Sequence, residues 1–155
     1  MLKYVLENNL GDVLAILGAA VCFLLAASGS AKGVAMAGQV GSGVIAEDSS
    51  KFVPVMILEA LPSTQGIYGF VVAFMIIGKL GGLDLADGMS LMAAALPAGV
   101  VGLISAIFQG KVAAASIGIV AKRSNDMVKG IVLTLMVELF AIFGLLVSIL
   151  MIGNV

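Results

Sequence analysis

The chain has 155 residues, 61% hydrophobic and only 11% charged, with 20 glycines, no histidine, no tryptophan and a formal charge of -1. Soluble domains are about 45–50% apolar and about 25% charged, so this chain cannot cover its apolar surface with polar side chains and takes a membrane as solvent. The missing histidine excludes imidazole metal ligation and histidine catalysis, the lone Cys22 excludes a disulfide framework or thiolate cluster within one chain, and the small net charge gives no reason to expect a nucleic-acid partner.

The N-terminal stretch MLKYVLENNLGD carries one lysine and then two acids before the first long apolar run. That is not a signal-peptide pattern, and the first hydrophobic segment is expected to be retained. Four such segments follow, roughly 11–46, 52–77, 89–121 and 127–152, separated by EDSSK (47–51), GKLGGLDLADG (78–88) and KRSND (122–126). Each exceeds the about 20 residues that cross a hydrocarbon core, and all are far too long for barrel strands. Backbone in lipid must bond to itself, so the sequence predicts an all-α membrane protein with four transmembrane helices in one membrane domain over 1–155. The first and third segments are long enough to project beyond the bilayer.

Lys51, Lys122, Arg123 and Lys129 flank the first and last turns, against Lys3 and Lys79 at the opposite end. The positive-inside rule then places both short turns in the cytoplasm and both termini outside. The chain also repeats itself. GVAMAG (33–38) answers KVAAAS (111–116), and IYGFVV (67–72) answers IFGLLV (142–147), in order and at like places in two hairpins. We read two duplicated hairpins, about 11–77 and 89–152, of the same topology rather than inverted. The odd segments hold Gly29, Gly33, Gly38, Gly41 and Gly43, then Gly99, Gly102, Gly110 and Gly118, while the even ones hold the bulk. Small residues allow close backbone approach, which predicts an inner layer of odd helices and an outer layer of even ones. A plain four-helix bundle with glycine-rich contacts is the simpler alternative.

The second segment interrupts its apolar run with LPSTQGIYGF (61–70), and the fourth carries Glu138 deep in its interior. A charge at the bilayer centre costs about 2.5–3.5 kcal/mol on insertion scales, so Glu138 must be protonated, paired or holding a cation. Counting from the turns at the helical rise puts Glu138, Thr64 and Gln109 at nearly one depth, roughly 18 Å inside. Glu138 supplies a negative charge, and Thr64, Gln65 and Gln109 supply neutral oxygens of the kind hard cations prefer. Pro62 has no N–H, which leaves the Leu58 carbonyl without its helical donor and lets a carbonyl of that turn face an ion. The alternative is a polar helix contact with a protonated Glu138.

Position 138 corresponds to Ser63 in the first hairpin and position 109 to Ala31, so there is one such site per four helices. Tyr68 is one turn beyond Thr64, within reach of donating to Glu138, with an ordinary interfacial or packing tyrosine as the alternative. Lys111 lies two residues from Gln109, about 200° around the helix, and is expected to face elsewhere, as is Lys32. Glu59 is read as a structural carboxyl or an access-path residue.

At these residues a family emerges. GSAKGVAMAG, LPSTQGIYGFVVAF, FQGKVAAA and MVELFAIFG resemble, in order and over essentially the full chain, the duplicated-hairpin rotor proteolipid (the K or c subunit) of V-type rotary ATPases, especially the sodium-transporting bacterial type. The resemblance implies a homo-oligomeric rotor ring in membrane lipid. It implies a stator membrane subunit with a basic residue and central-stalk subunits at the cytoplasmic turns. It also implies a Na+ site from the main-chain carbonyl of Leu61 with Thr64, Gln65, Gln109 and Glu138, supported by Tyr68. The chain would be a non-catalytic membrane subunit that moves its ion by ring rotation coupled to ATP hydrolysis elsewhere. The alternatives are a ring carrying H+ on the same glutamate, a small cation/proton antiporter, and a structural channel-like oligomer.

Overall fold

The computed structural model describes residues 10–155; Lys3 and the other residues of 1–9 lie outside them. Among the described residues every regular element is a helix. Helix α1 spans Leu10–Glu47, α2 Phe52–Ala60, α3 Thr64–Ile77, α4 Leu85–Lys122 and α5 Met127–Ile152. Short 3-10 turns occupy Ser49–Lys51, Leu61–Ser63 and Ser124–Asp126. Helices α2 and α3, with the turn between them, form one continuous stretch, so the described residues hold four helical stretches long and apolar enough to span a membrane.

The expected segments reappear with one informative shift. Helix α4 begins at Leu85, inside the expected linker, because the Asp84 side chain accepts the Asp87 N–H and caps the helix early. The first hairpin turn is closed by Asp48, whose side chain accepts the Ser50 N–H at 3.0 Å and the Ser50 hydroxyl at 2.6 Å. Those bonds hold the Asp48 carboxyl below its ordinary range. Lys51 reaches across to donate to the Ala121 carbonyl at 2.6 Å, tying this turn to the end of α4.

At the other end, Gly81 and Gly82 take φ of 149° and 96°, a backbone that side chains disfavour. That turns their N–H groups, and that of Leu83, onto the carboxylate of Asp12 at 3.2, 2.9 and 3.2 Å. The link between the hairpins is thus pinned to the start of α1.

The close packing expected of the odd segments is present. Helices α1 and α4 pack through small residues, and a Cβ added to Gly29 would lie 2.6 Å from the Leu103 Cα. Gly33 and Gly110 lie against each other in the same seam. Bulk goes outward on α3 and α5, where Phe70, Phe74, Phe140 and Phe143 are exposed. An apolar exterior of this extent suits lipid and neighbouring protein, not water.

Two prolines interrupt the backbone pairing, and in each case a serine from another helix supplies an acceptor beside the break. The Ala98 N–H, next to Pro97 in α4, donates to Ser148 Oγ at 3.0 Å. The Gly66 N–H, just after the Pro62 turn, donates to Ser30 Oγ at 2.8 Å.

Candidate functional site

The site begins with the break in the second crossing. Pro62 cannot donate, and the chain responds by tightening residues 61–63 into a 3-10 turn rather than by opening. The Leu61 carbonyl then accepts both the Thr64 N–H and the Thr64 hydroxyl, the latter at 3.1 Å. Leu61 and Thr64 therefore present their oxygens side by side, and Gln65, fully buried, follows on the inner face.

From Gln65 a chain of bonds runs across three helices. The Gln65 carboxamide donates from Nε2 to Gln109 Oε1 at 2.5 Å. The Gln109 carboxamide donates from Nε2 to Glu138 Oε2 at 3.2 Å and to the Thr134 carbonyl at 3.3 Å. The Tyr68 hydroxyl donates to the other carboxylate oxygen, Glu138 Oε1, at 2.6 Å. Thr64 Oγ1 lies 3.4 Å from Gln65 Oε1. Glu138 is 7% exposed, and Gln65 and Gln109 are wholly enclosed.

The six residues singled out in the sequence therefore meet in one network, but not as equals. Gln109 and Tyr68 touch the carboxylate directly. Gln65 reaches it only through Gln109, and Thr64 and Leu61 stand one further step away.

The remaining charged residues separate from this network. Lys111 is exposed, with Nζ 4.9 Å from the Phe108 ring centroid, while Gln109 two positions earlier is buried. Lys32 is exposed on α1. Glu59 is half-buried and lies over Gly38, where an added Cβ would sit 2.6 Å from its Oε1.

Sequence reasoning missed Thr134 and Ser116. Thr134 is fully buried one turn before Glu138, with its hydroxyl donating to the Gly130 carbonyl at 2.8 Å and 3.4 Å from Ser116 Oγ. Its spacing of four from Glu138 was the available signal, since that spacing shares a helix face.

One carboxylate surrounded by neutral oxygens and amides can neutralise one positive charge. Among the described residues no group of three or more histidine, cysteine or acidic side chains gathers around a common point. The arrangement suits a proton or a monovalent metal ion.

The sequence matches the family model for the C subunit of ATP synthase twice, over residues 17–76 and 92–151. It is 42% identical over 155 residues to the V-type sodium ATPase subunit K of Enterococcus hirae, with 99% of each chain covered. It is 40% identical over 143 residues to the A-type ATP synthase subunit K of Methanocaldococcus jannaschii, covering 92% of this chain but 63% of that protein.

Proposed function

The chain belongs to the family of the ATP synthase C subunit, as a non-catalytic rotor proteolipid of the V/A-type ATPases, and on that premise we propose that it carries sodium across the membrane at Glu138. The Leu61 carbonyl with Thr64, Gln65, Gln109 and Glu138 supplies the oxygens, and Tyr68 holds the carboxylate in place. The observation that carries this reading is the buried run of bonds from Gln65 through Gln109 to Glu138. A proton needs only the carboxylate, whereas a metal ion leaving water must find several oxygens to replace its hydration shell. The sodium ATPase named among the relatives lends the reading further weight.

In this account several copies close into a ring. Cation binding neutralises Glu138, so an occupied site can face lipid, where a bare carboxylate is penalised. At a stator subunit, a basic residue pairs with the carboxylate and releases the ion. Moving one charge against 100 mV costs about 2.3 kcal/mol. The sequence has no Walker-type phosphate loop, so that energy comes from ATP hydrolysis in subunits attached through a central stalk. The stalk meets the turns at 47–51 and 122–126, which the excess of Lys and Arg assigns to the cytoplasm, with the termini outside.

The decisive experiment is carbodiimide labelling of Glu138 in the purified complex at fixed pH. Sodium is expected to slow the labelling. Labelling indifferent to sodium would assign the ring to protons.

A further inference from the structure

The Pro62 break is held from outside its own helix. Two residues on one face of α1 lie against it, Ser30 and Gly33, and Ala26 continues that face four residues earlier. Gly33 makes room for the proline, since a Cβ there would come within 2.8 Å of Pro62 Cβ. Ala26 packs against Gly69 one turn further along α3. Between them, the buried Ser30 hydroxyl accepts the Gly66 N–H at 2.8 Å.

That N–H belongs to the first turn of α3, where a helix has donors without partners of its own. Gly66 directly follows Gln65 and lies two residues from Thr64. Its amide is therefore the point at which α1 fixes the rotation of the segment that carries three of the proposed ligands. The equivalent turn of the second hairpin has no such break, since Val137 stands where Pro62 stands in the first.

We infer that Ser30 is a positioning residue for the ion site: by accepting the Gly66 N–H it sets the orientation of the Leu61–Gln65 turn, and through Gln65 and Gln109 it sets the donors that meet Glu138. This rests on the ion-carrying reading of that site. Ser30 touches neither the carboxylate nor, on this geometry, the ion.

The molecule provides its own control. Ser148 accepts the Ala98 N–H beside Pro97 in the same manner, yet it lies ten residues from Glu138, roughly 15 Å along α5. Both S30A and S148A delete one buried serine bond to a backbone amide, and only the first bond adjoins the site.

The test uses the assembled complex and two readouts: the sodium chloride concentration that half-protects Glu138 from dicyclohexylcarbodiimide, and the pH profile of labelling without sodium. S30A is expected to raise the half-protecting concentration roughly two- to tenfold, the effect of one neutral hydrogen bond, and to displace the pH profile. S148A should move neither. If S30A does not assemble, S30C, nearly isosteric and a weaker acceptor, should show the same displacement in smaller degree. The inference is overturned if S30A and S30C leave both readouts unchanged, or if S148A shifts them equally. If wild-type labelling ignores sodium, the sodium reading fails on its own, and the pH profile alone still decides the role of Ser30.

Discussion

Tyr68 in the first hairpin donates its hydroxyl to the Glu138 carboxylate in the second at 2.6 Å, so the charge of one repeat is held by the other. Glu138 is approached on its remaining oxygen by Gln109 of its own hairpin. The carboxylate is therefore gripped from both sides by donors that belong to different halves of the duplication. A hydrogen bond to a charged group is worth about 1.5–3 kcal/mol, so Tyr68→Phe should weaken sodium binding by about one to two orders of magnitude. Sodium protection of Glu138 against carbodiimide measures it, and an unchanged concentration dependence would remove Tyr68 from the site.

Glu138→Gln keeps the shape of the side chain and removes its charge. ATP-driven sodium uptake by proteoliposomes should fall to the level seen without ATP, and carbodiimide labelling in the membrane segment should vanish. Retained uptake would mean that another group carries the ion.

Gln109 is the joint of the network. Replacing it with alanine leaves Gln65 Nε2 and Glu138 Oε2 facing each other without the carboxamide that links them. Each unsatisfied buried group costs about 1–3 kcal/mol, so Gln109→Ala should lower both thermal stability in detergent and sodium affinity. Equal melting of the variant and the wild type would show that water or rearrangement fills the gap at no cost.

The seam between α1 and α4 can be tested with glycines. A Cβ at Gly29 meets Leu103 backbone, which cannot step aside alone, whereas a Cβ at Gly43 meets nothing within 4 Å. Gly29→Ala should destabilise by about 1–3 kcal/mol through overpacking. Gly43→Ala should leave the melting temperature level or slightly raised, because alanine suits a helix better. The reverse ranking would refute the close packing of the two inner helices.

Acid should loosen the first hairpin turn. The Asp48 carboxyl titrates below its ordinary value because Ser50 donates to it twice. Its folded value is the depressed one, so its contribution is complete above the ordinary carboxylate range and disappears as pH falls through the lowered value. The protection of the amides at residues 49–51, taken relative to their intrinsic exchange rates, should therefore fall on acidification, and Asp48→Asn should flatten that pH dependence.

Much of this molecule could be read directly. The four crossings followed from run length and charge placement, and the polar layer followed from counting helical rise to Glu138, Thr64 and Gln109. The start of α4 was misplaced, because LADG reads as linker until Asp84 is seen to cap it. Thr134 was passed over because a threonine in an apolar helix satisfies itself, here on the Gly130 carbonyl, and draws no attention. Ser30 left no trace, since its partner is a backbone amide 36 residues away and any residue can offer one.

By itself the sequence determined the solvent, the number of crossings, the duplication and the level of the charge along its helix, all of which depend on hydrophobicity and motifs read along the chain. Only the tertiary structure decided which atoms meet at that level: Gln109 as the bridge, Tyr68 as the donor from the other repeat, and Ser30 behind the broken turn. The reason is that a helix in lipid is apolar on nearly every side, so its periodicity hardly says how it is rotated about its axis. That rotation is set by how Gly29, Gly33 and Gly110 let α1 and α4 approach, and by the shortened turn at Pro62.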